Sequence, residues 1–171
     1  AGGGTLELAL GEEEATGTLA ALVGQLAGAE RGDCYLVRGA VGAGKSVFCR
    51  ALVQTLVGDP ELVVPSPTYT FVQDYTTAGG VPLSHYDLYR LEGLEDDKRR
   101  LIGLPEAFAK GVTVIEWPEY LGEAAPASHL EVRLRHANDG GREGRNAMVF
   151  ASGSRWEAVV ASLKALLSGA Q

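Results

Sequence analysis

The chain has 171 residues, 46% of them apolar and 22% charged, and its 15 Lys and Arg against 22 Asp and Glu leave a net charge of −7. That length and mix suit one globular domain, 1–171, with a core that needs no staples; they do not suit coiled coil, collagen or global disorder. The negative balance excludes a nucleic-acid clamp spread over the whole surface and leaves room only for a local basic patch.

Cys34 and Cys49 are too few for a disulfide scaffold and fall in core-like stretches, which reads as reduced thiols in a cytoplasmic protein. No apolar run approaches the ~18 residues of a membrane span. Ala1–Gly4 has neither a basic nor an apolar signal region and reads as a disordered or tag-derived end.

In chain order, Thr5–Leu10 is a short strand candidate. Glu13–Ala27 is an amphipathic helix, with Leu19, Leu22, Val23 and Leu26 at helical spacing and Glu12, Glu13 and Glu14 at the end its dipole favours. Cys34–Val37 reads as a buried parallel strand ending at Gly39. Lys45–Leu56 is a second helix, closed by Gly58 and Pro60. The apolar Leu62–Val64 and the turn Pro65-Ser66-Pro67 precede a predicted hairpin, with arms Thr70–Tyr75 and Val81–Leu88 and Gly79-Gly80 near its turn.

Asp96–Leu101 places acids before Lys98-Arg99-Arg100, the order of a solvated helix rather than a nucleic-acid patch. Pro105–Lys110 is a helical turn, and Val112–Ile115 a buried strand ending in Glu116. His129–His136 alternates strictly, as a half-exposed antiparallel strand would. A turn at Asn138–Gly141 leads to Asn146–Ser152. The last helix opens with Ser154 and Glu157 at capping-box spacing and buries Trp156, Val159, Val160, Leu163 and Leu167. The expected architecture is three-layer α/β, a parallel core sheet with antiparallel additions.

Gly39-Ala40-Val41-Gly42-Ala43-Gly44-Lys45-Ser46 satisfies G-x-x-x-x-G-K-[ST] in full, after a buried strand and at the start of a helix. Glycines let consecutive amides turn toward phosphate oxygens, and the helix start adds unpaired N–H groups. Lys45 supplies a point charge and Ser46 a hydroxyl for Mg²⁺. Two acids end strands nearby, Glu116 and Asp87. One can hold the metal and one can orient water, and position alone does not rank them. Thr68, in the turn after the first P-loop helix, is a candidate phosphate sensor. No guanine-reading Asn-Lys-x-Asp occurs, which disfavours a GTPase. Leu167-Ser168-Gly169-Ala170-Gln171 follows both acids and reads as a helix end, not a transporter-ATPase signature.

Taken together, Gly39–Ser46, Ser66-Pro67-Thr68-Tyr69-Thr70, His85-Tyr86-Asp87-Leu88-Tyr89-Arg90, Ile102-Gly103-Leu104, Glu116-Trp117-Pro118 and Gly141-Arg142-Glu143-Gly144-Arg145 occur in an order and at spacings that resemble the bacterial TsaE (YjeE) family. The resemblance implies a three-layer P-loop NTPase fold. It also implies an ATPase that uses Mg²⁺ in threonylcarbamoyladenosine (t6A) modification of tRNA, working with TsaD and TsaB and meeting tRNA through them. It assigns the nucleotide to Gly39, Ala40, Val41, Gly42, Ala43, Gly44, Lys45 and Ser46. It gives Mg²⁺ to Ser46 and Glu116, hydrolysis support to Asp87, and a switch-like loop to Thr68. It also brings Arg145, and Thr16 ahead of the first helix, toward the nucleotide. Asp97-Lys98-Arg99-Arg100 departs from the more acidic and apolar helix of typical members.

With no arginine finger evident near the P-loop, slow turnover accelerated by a partner is expected. The alternatives are a small-molecule kinase, with Lys98-Arg99-Arg100 as its lid, and a nucleotide-sensing binding module. Trp117 beside Glu116 is expected to report nucleotide by fluorescence. His85 reads as a hydrogen-bonded structural histidine, with orientation of the site as its other role. Arg133, Arg135, Arg142 and Arg145 could line up as a basic strip, though edge-strand solubility charges are the default. His129 and His136 flank the alternating strand with no ligand spacing to Cys, so no zinc site is expected.

Overall fold

The computed structural model describes residues 4–91, 96–139 and 142–169, with the side chains of 138, 139, 142 and 143 left undescribed. The expectation for Ala1–Gly4 therefore falls almost wholly outside the described residues, and half of the Asn138–Gly141 turn does too.

The strands are β1 (Thr5–Leu10), β2 (Cys34–Arg38), β3 (Val72–Thr76), β4 (Pro82–Asp87), β5 (Val112–Glu116), β6 (His129–Asp139) and β7 (Arg142–Ser152). The helices are α1 (Glu13–Ala27), α2 (Lys45–Val57), α3 (Asp96–Leu101), α4 (Leu104–Lys110) and α5 (Ser154–Ser168), with a 3-10 segment at Pro118–Ala124. All strands join one seven-stranded sheet in the order β1-β7-β6-β2-β5-β4-β3. Its centre, β6-β2-β5-β4, is parallel; β7 and β1 extend one edge and β3 the other, all antiparallel.

Strand alternation builds the layers. On β2, Tyr35 and Val37 join the core shared with α1, α2 and α5, while Cys34 and Leu36 join the core shared with α4 and the 3-10 segment. The unbroken buried run of β5 follows from cover on both faces. This is the expected three-layer α/β arrangement, and it aligns the C-terminal ends of β2, β4 and β5. Val37 pairs with Glu116, and Glu116 with Asp87. In open α/β sheets, ligands bind beyond these strand ends.

Four local expectations are corrected. The His129–His136 strand is parallel to β2 as well as antiparallel to β7, and Glu131 on its supposedly exposed face is buried against Arg38 and Arg133. Alternation records which face is apolar, not the direction of a neighbour. The first hairpin arm starts at Val72, not Thr70, because Phe71 takes φ 65° and closes a turn by donating to the Pro67 carbonyl at 2.7 Å. The Ser154/Glu157 capping box does not form. Gly153, at φ 100°, is the N-cap, and its carbonyl accepts the Trp156 and Glu157 amides at 3.1 and 3.0 Å. The arginine strip is split, since Arg145 pairs with His136 and so sits on the sheet face opposite Arg133 and Arg135. The side chain of Arg142 lies outside the description.

Candidate functional site

The loop between β2 and α2 carries the motif Gly39–Ser46, and its shape depends on glycine at two kinds of position. Gly42 and Gly44 adopt φ 79° and 105°, so successive amides turn to one side, the geometry of an anion-binding nest. Gly39 is needed for space: a Cβ there would lie 2.7 Å from the Leu134 carbonyl oxygen of β6 and 3.1 Å from the Ala43 Cβ. Gly44 is the N-cap of α2 with no side chain in the cap, which leaves the first-turn amides of α2 open to a ligand.

Lys45 follows and is buried. Its ammonium donates to the carbonyls of Gly39 at 2.6 Å and Ala40 at 2.9 Å, and lies 4.2 Å from the centre of the Trp117 ring. Burial lowers its pKa below the ordinary lysine value, against the opposing pull of Glu116, Glu119 and Asp87. Carbonyls, ring and loop therefore hold the charge ready for an anion.

Ser46, next on α2, faces β5, and its hydroxyl donates to Glu116 Oε1 at 3.4 Å. The other oxygen of Glu116 is 2.7 Å from His85 Nε2, both groups being almost wholly buried. His85 thus fixes which way the carboxylate turns, which is the orienting alternative of the sequence reading. Asp87, on the same face of β4, accepts the Thr68 hydroxyl at 2.9 Å on Oδ2 and the Tyr89 amide at 2.9 Å on Oδ1. Ser66 and Thr68 are joined in turn, hydroxyl to hydroxyl, at 2.7 Å. The turn after α2 is thereby tied to the acid at the end of β4.

These residues enclose a cleft of about 290 Å³ lined by Val41, Gly42, Lys45, Ser46, Ser66, Thr68, Asp87, Tyr89, Glu116 and Trp117. Every candidate catalytic residue, Lys45, Asp87, Glu116 and Thr68, lies on it. A wider groove of about 510 Å³ between β1 and α1 is mostly apolar and brings no comparable polar set together. Thr16 lies in the first turn of α1, within the helix expected over Glu13–Ala27 and not ahead of it. It meets the P-loop beside Arg145, whose side chain would be 3.5 Å from a Cβ at Gly44.

The donor sets fit a nucleotide tail and its metal. Thr16 Oγ1 and Arg145 Nε are buried beside Gly44 with no partner among the described residues, as groups that could meet a phosphate would be. The oxygen pair Ser46 Oγ and Glu116 Oε1 is the hard set that suits Mg²⁺.

Sequence reasoning underrated two parts of the site. Trp117 takes φ 58°, costly for a bulky residue, and stands between Lys45 and Tyr89, the latter ring 4.8 Å away. Trp-Pro after an acid signals a turn but not this conformation. Cys49 packs one turn behind Ser46, and a lone Cys in a helix carries no local signal.

The family described as TsaE, threonylcarbamoyl adenosine biosynthesis protein TsaE, matches residues 10–145. Relatives named tRNA threonylcarbamoyladenosine biosynthesis protein TsaE include one from Bacillus subtilis (strain 168), 34% identical over 130 residues, covering 75% of this chain and 76% of the relative. Another, from Treponema pallidum (strain Nichols), is 37% identical over 115 residues, covering 67% and 81%. The crystal structure of Bacillus subtilis YdiB superposes with a TM-score of 0.71 at 27% identity, over 96% of this chain and 97% of that one. The match in fold runs well beyond the P-loop, through the strand ends that carry Asp87 and Glu116, and the chain belongs to the TsaE family.

Proposed function

We propose that this protein is a Mg²⁺-dependent ATPase that serves t6A modification of tRNA together with TsaD and TsaB, turning over slowly alone and faster with its partners. The observation that carries the reading is the meeting of the P-loop residues Val41, Gly42, Lys45 and Ser46 with Glu116 and Asp87 in one cleft. The family's role in t6A biosynthesis supplies the pathway.

In this reading the P-loop amides and Lys45 hold the β- and γ-phosphates, and Ser46 and Glu116 hold Mg²⁺. When bound, that ion neutralises charge developing on the transferred phosphoryl group. Asp87 keeps one lone pair on each oxygen after accepting from Thr68 and Tyr89, enough to orient a water toward the γ-phosphate. Phosphoryl transfer asks mainly for positioning and charge, which this cleft supplies.

Two observations support partner dependence. Arg145 reaches the P-loop beside Gly44 and Thr16 but does not line the cleft with Asp87 and Glu116, and an arginine finger is worth ~10³–10⁵ in rate where one operates. The cleft residue Val41 and the neighbouring Tyr69 are 74% and 79% exposed, an apolar rim suited to cover by another protein. A kinase lid finds less support: Arg99 is tied to Asp96 and to the Leu121 carbonyl.

The Ser66–Thr68–Asp87 chain of hydrogen bonds favours a second reading, in which bound nucleotide is sensed by that loop and hydrolysis is incidental. ATP turnover with and without purified TsaD and TsaB, comparing the wild type with Lys45→Ala and Glu116→Ala, tests the proposal. Partner-stimulated hydrolysis lost in both variants supports it; equal turnover in all three contradicts it.

A further inference from the structure

Behind the Ser46–Glu116 pair lies a polar cluster that the ATPase reading does not use in full. Cys49 is three residues beyond Ser46 on α2 and so on the same helix face. Its Sγ, one imidazole nitrogen of His85 and a carboxylate oxygen of Glu116 all lie within 4.8 Å of one another, at 0%, 2% and 2% exposure. His85 Nδ1 is buried without a partner, and the Cys49 thiol makes no hydrogen bond among the described residues. Buried polar groups are ordinarily satisfied, so an incompletely satisfied Cys–His–Glu set needs a physical reason.

We propose that Cys49, His85 and Glu116 form a second metal position, for a borderline-soft divalent cation such as Zn²⁺, that shares Glu116 with the Mg²⁺ position and competes with it. The competition rests on the Mg²⁺ reading above; the site itself does not. Thiolate, imidazole and carboxylate are zinc's ligands, whereas Mg²⁺ takes oxygen and keeps its waters. With zinc–ligand bonds of ~2.0–2.3 Å, tetrahedral ligand atoms stand roughly 3.3–3.8 Å apart, so side-chain adjustments of about 1 Å close the cluster.

Three protein ligands leave a fourth position for water. Glu116 also lines the cleft, so a cation can enter past Ser46. Binding breaks the Cys49 S–H bond, sends the proton to solvent and forms a metal–thiolate bond with no change of oxidation state. It also engages the Glu116 carboxylate, drawing it inward and away from Ser46.

The test is a Co²⁺ titration of the metal-free, nucleotide-free full chain, Co²⁺ standing in for Zn²⁺. The site predicts a thiolate-to-Co²⁺ charge-transfer band with tetrahedral visible bands, abolished by Zn²⁺ and by Cys49→Ser and retained in Cys34→Ala. No thiolate band in the wild type, or an unchanged band in Cys49→Ser, overturns the proposal. If Cys49→Ser does not fold, Cys34→Ala decides, since Cys49 is then its one thiol: the band must form there and be removed by Zn²⁺, and its absence overturns the proposal.

Stoichiometric Zn²⁺ should also raise the Mg²⁺ needed for half-maximal ADP binding by ~10-fold or more, as loss of a ligand does; no rise overturns the competition. ADP binding that ignores Mg²⁺ in zinc-free protein would refute the Mg²⁺ assignment instead, leaving the Co²⁺ result to stand.

Discussion

Replacing Gly39 with alanine places a methyl 2.7 Å from the Leu134 carbonyl oxygen and 3.1 Å from the Ala43 Cβ. Neither neighbour is the free end of a flexible side chain: one is backbone of β6, the other belongs to the P-loop itself. Carbon–oxygen contacts settle at ~3.3–3.6 Å, so the loop must retreat from β6 by roughly 0.6 Å or more. Overpacking of this kind costs ~1–3 kcal/mol. At ~2–4 °C per kcal/mol for a chain of this size, the melting temperature should fall by roughly 2–12 °C.

The same retreat carries the amides away from the phosphates they must meet, where a tolerance of ~0.5 Å separates a working site from a loose one. Nucleotide affinity should therefore drop ~10-fold or more, about 1.4 kcal/mol. Gly79→Ala is the control, because a Cβ there meets nothing within 4 Å, and it should stay within ~0.5 kcal/mol of the wild type. Thermal melts and ADP calorimetry on the three proteins decide. If Gly39→Ala melts and binds like Gly79→Ala, the claim that β6 sets the P-loop is wrong.

Nucleotide should change the emission of Trp117, which lies between Lys45 and Tyr89, and a spectrum in Trp156→Phe protein unmoved at saturating ADP would contradict that placement. Asp87→Asn should keep ADP affinity and lose ATP turnover, because Asp87 bonds Thr68 and the Tyr89 amide rather than a P-loop residue; turnover at the wild-type rate would remove its role. Arg155→Ala should cost ~3 kcal/mol in urea unfolding, since it strips a bidentate partner from Asp33, which is 3% exposed; a loss under ~1 kcal/mol would mean water compensates the carboxylate. Burial depresses the Lys45 pKa, so the unfolded chain binds more protons between that lowered value and 10.5, and nucleotide-free stability gains from this group as pH rises through that window. Phosphate reverses the shift, so ADP binding there should take up protons in calorimetry across buffers of different ionisation heat; proton release would contradict it.

Much of this was legible because the chemistry is local. Gly39–Ser46 is contiguous, and the apolar run before Glu116 announced a buried strand delivering an acid at its end. Pairing was less legible. Period-2 alternation in 129–136 gave the apolar face correctly but not that β2 lies parallel alongside, because direction is set by chain connections far from the strand. Composition alone groups Arg145 with Arg133, whereas register places it on the other face. The capping-box spacing at Ser154 lost to Gly153, whose φ of 100° fits the chain's entry from β7. The Trp117 conformation and the Cys49–His85–Glu116 cluster depend on residues brought together from separate elements, for which sequence spacing gives no sign.

Isothermal titration of the intact protein with ADP and with ATP, in Mg²⁺ and then in excess chelator, tests the central claim most directly. The account predicts a saturable one-to-one heat that weakens when Mg²⁺ is removed and disappears in Lys45→Ala protein that melts like the wild type. Well-folded wild type that gives no heat with either nucleotide, or binds both equally well without Lys45, would contradict it.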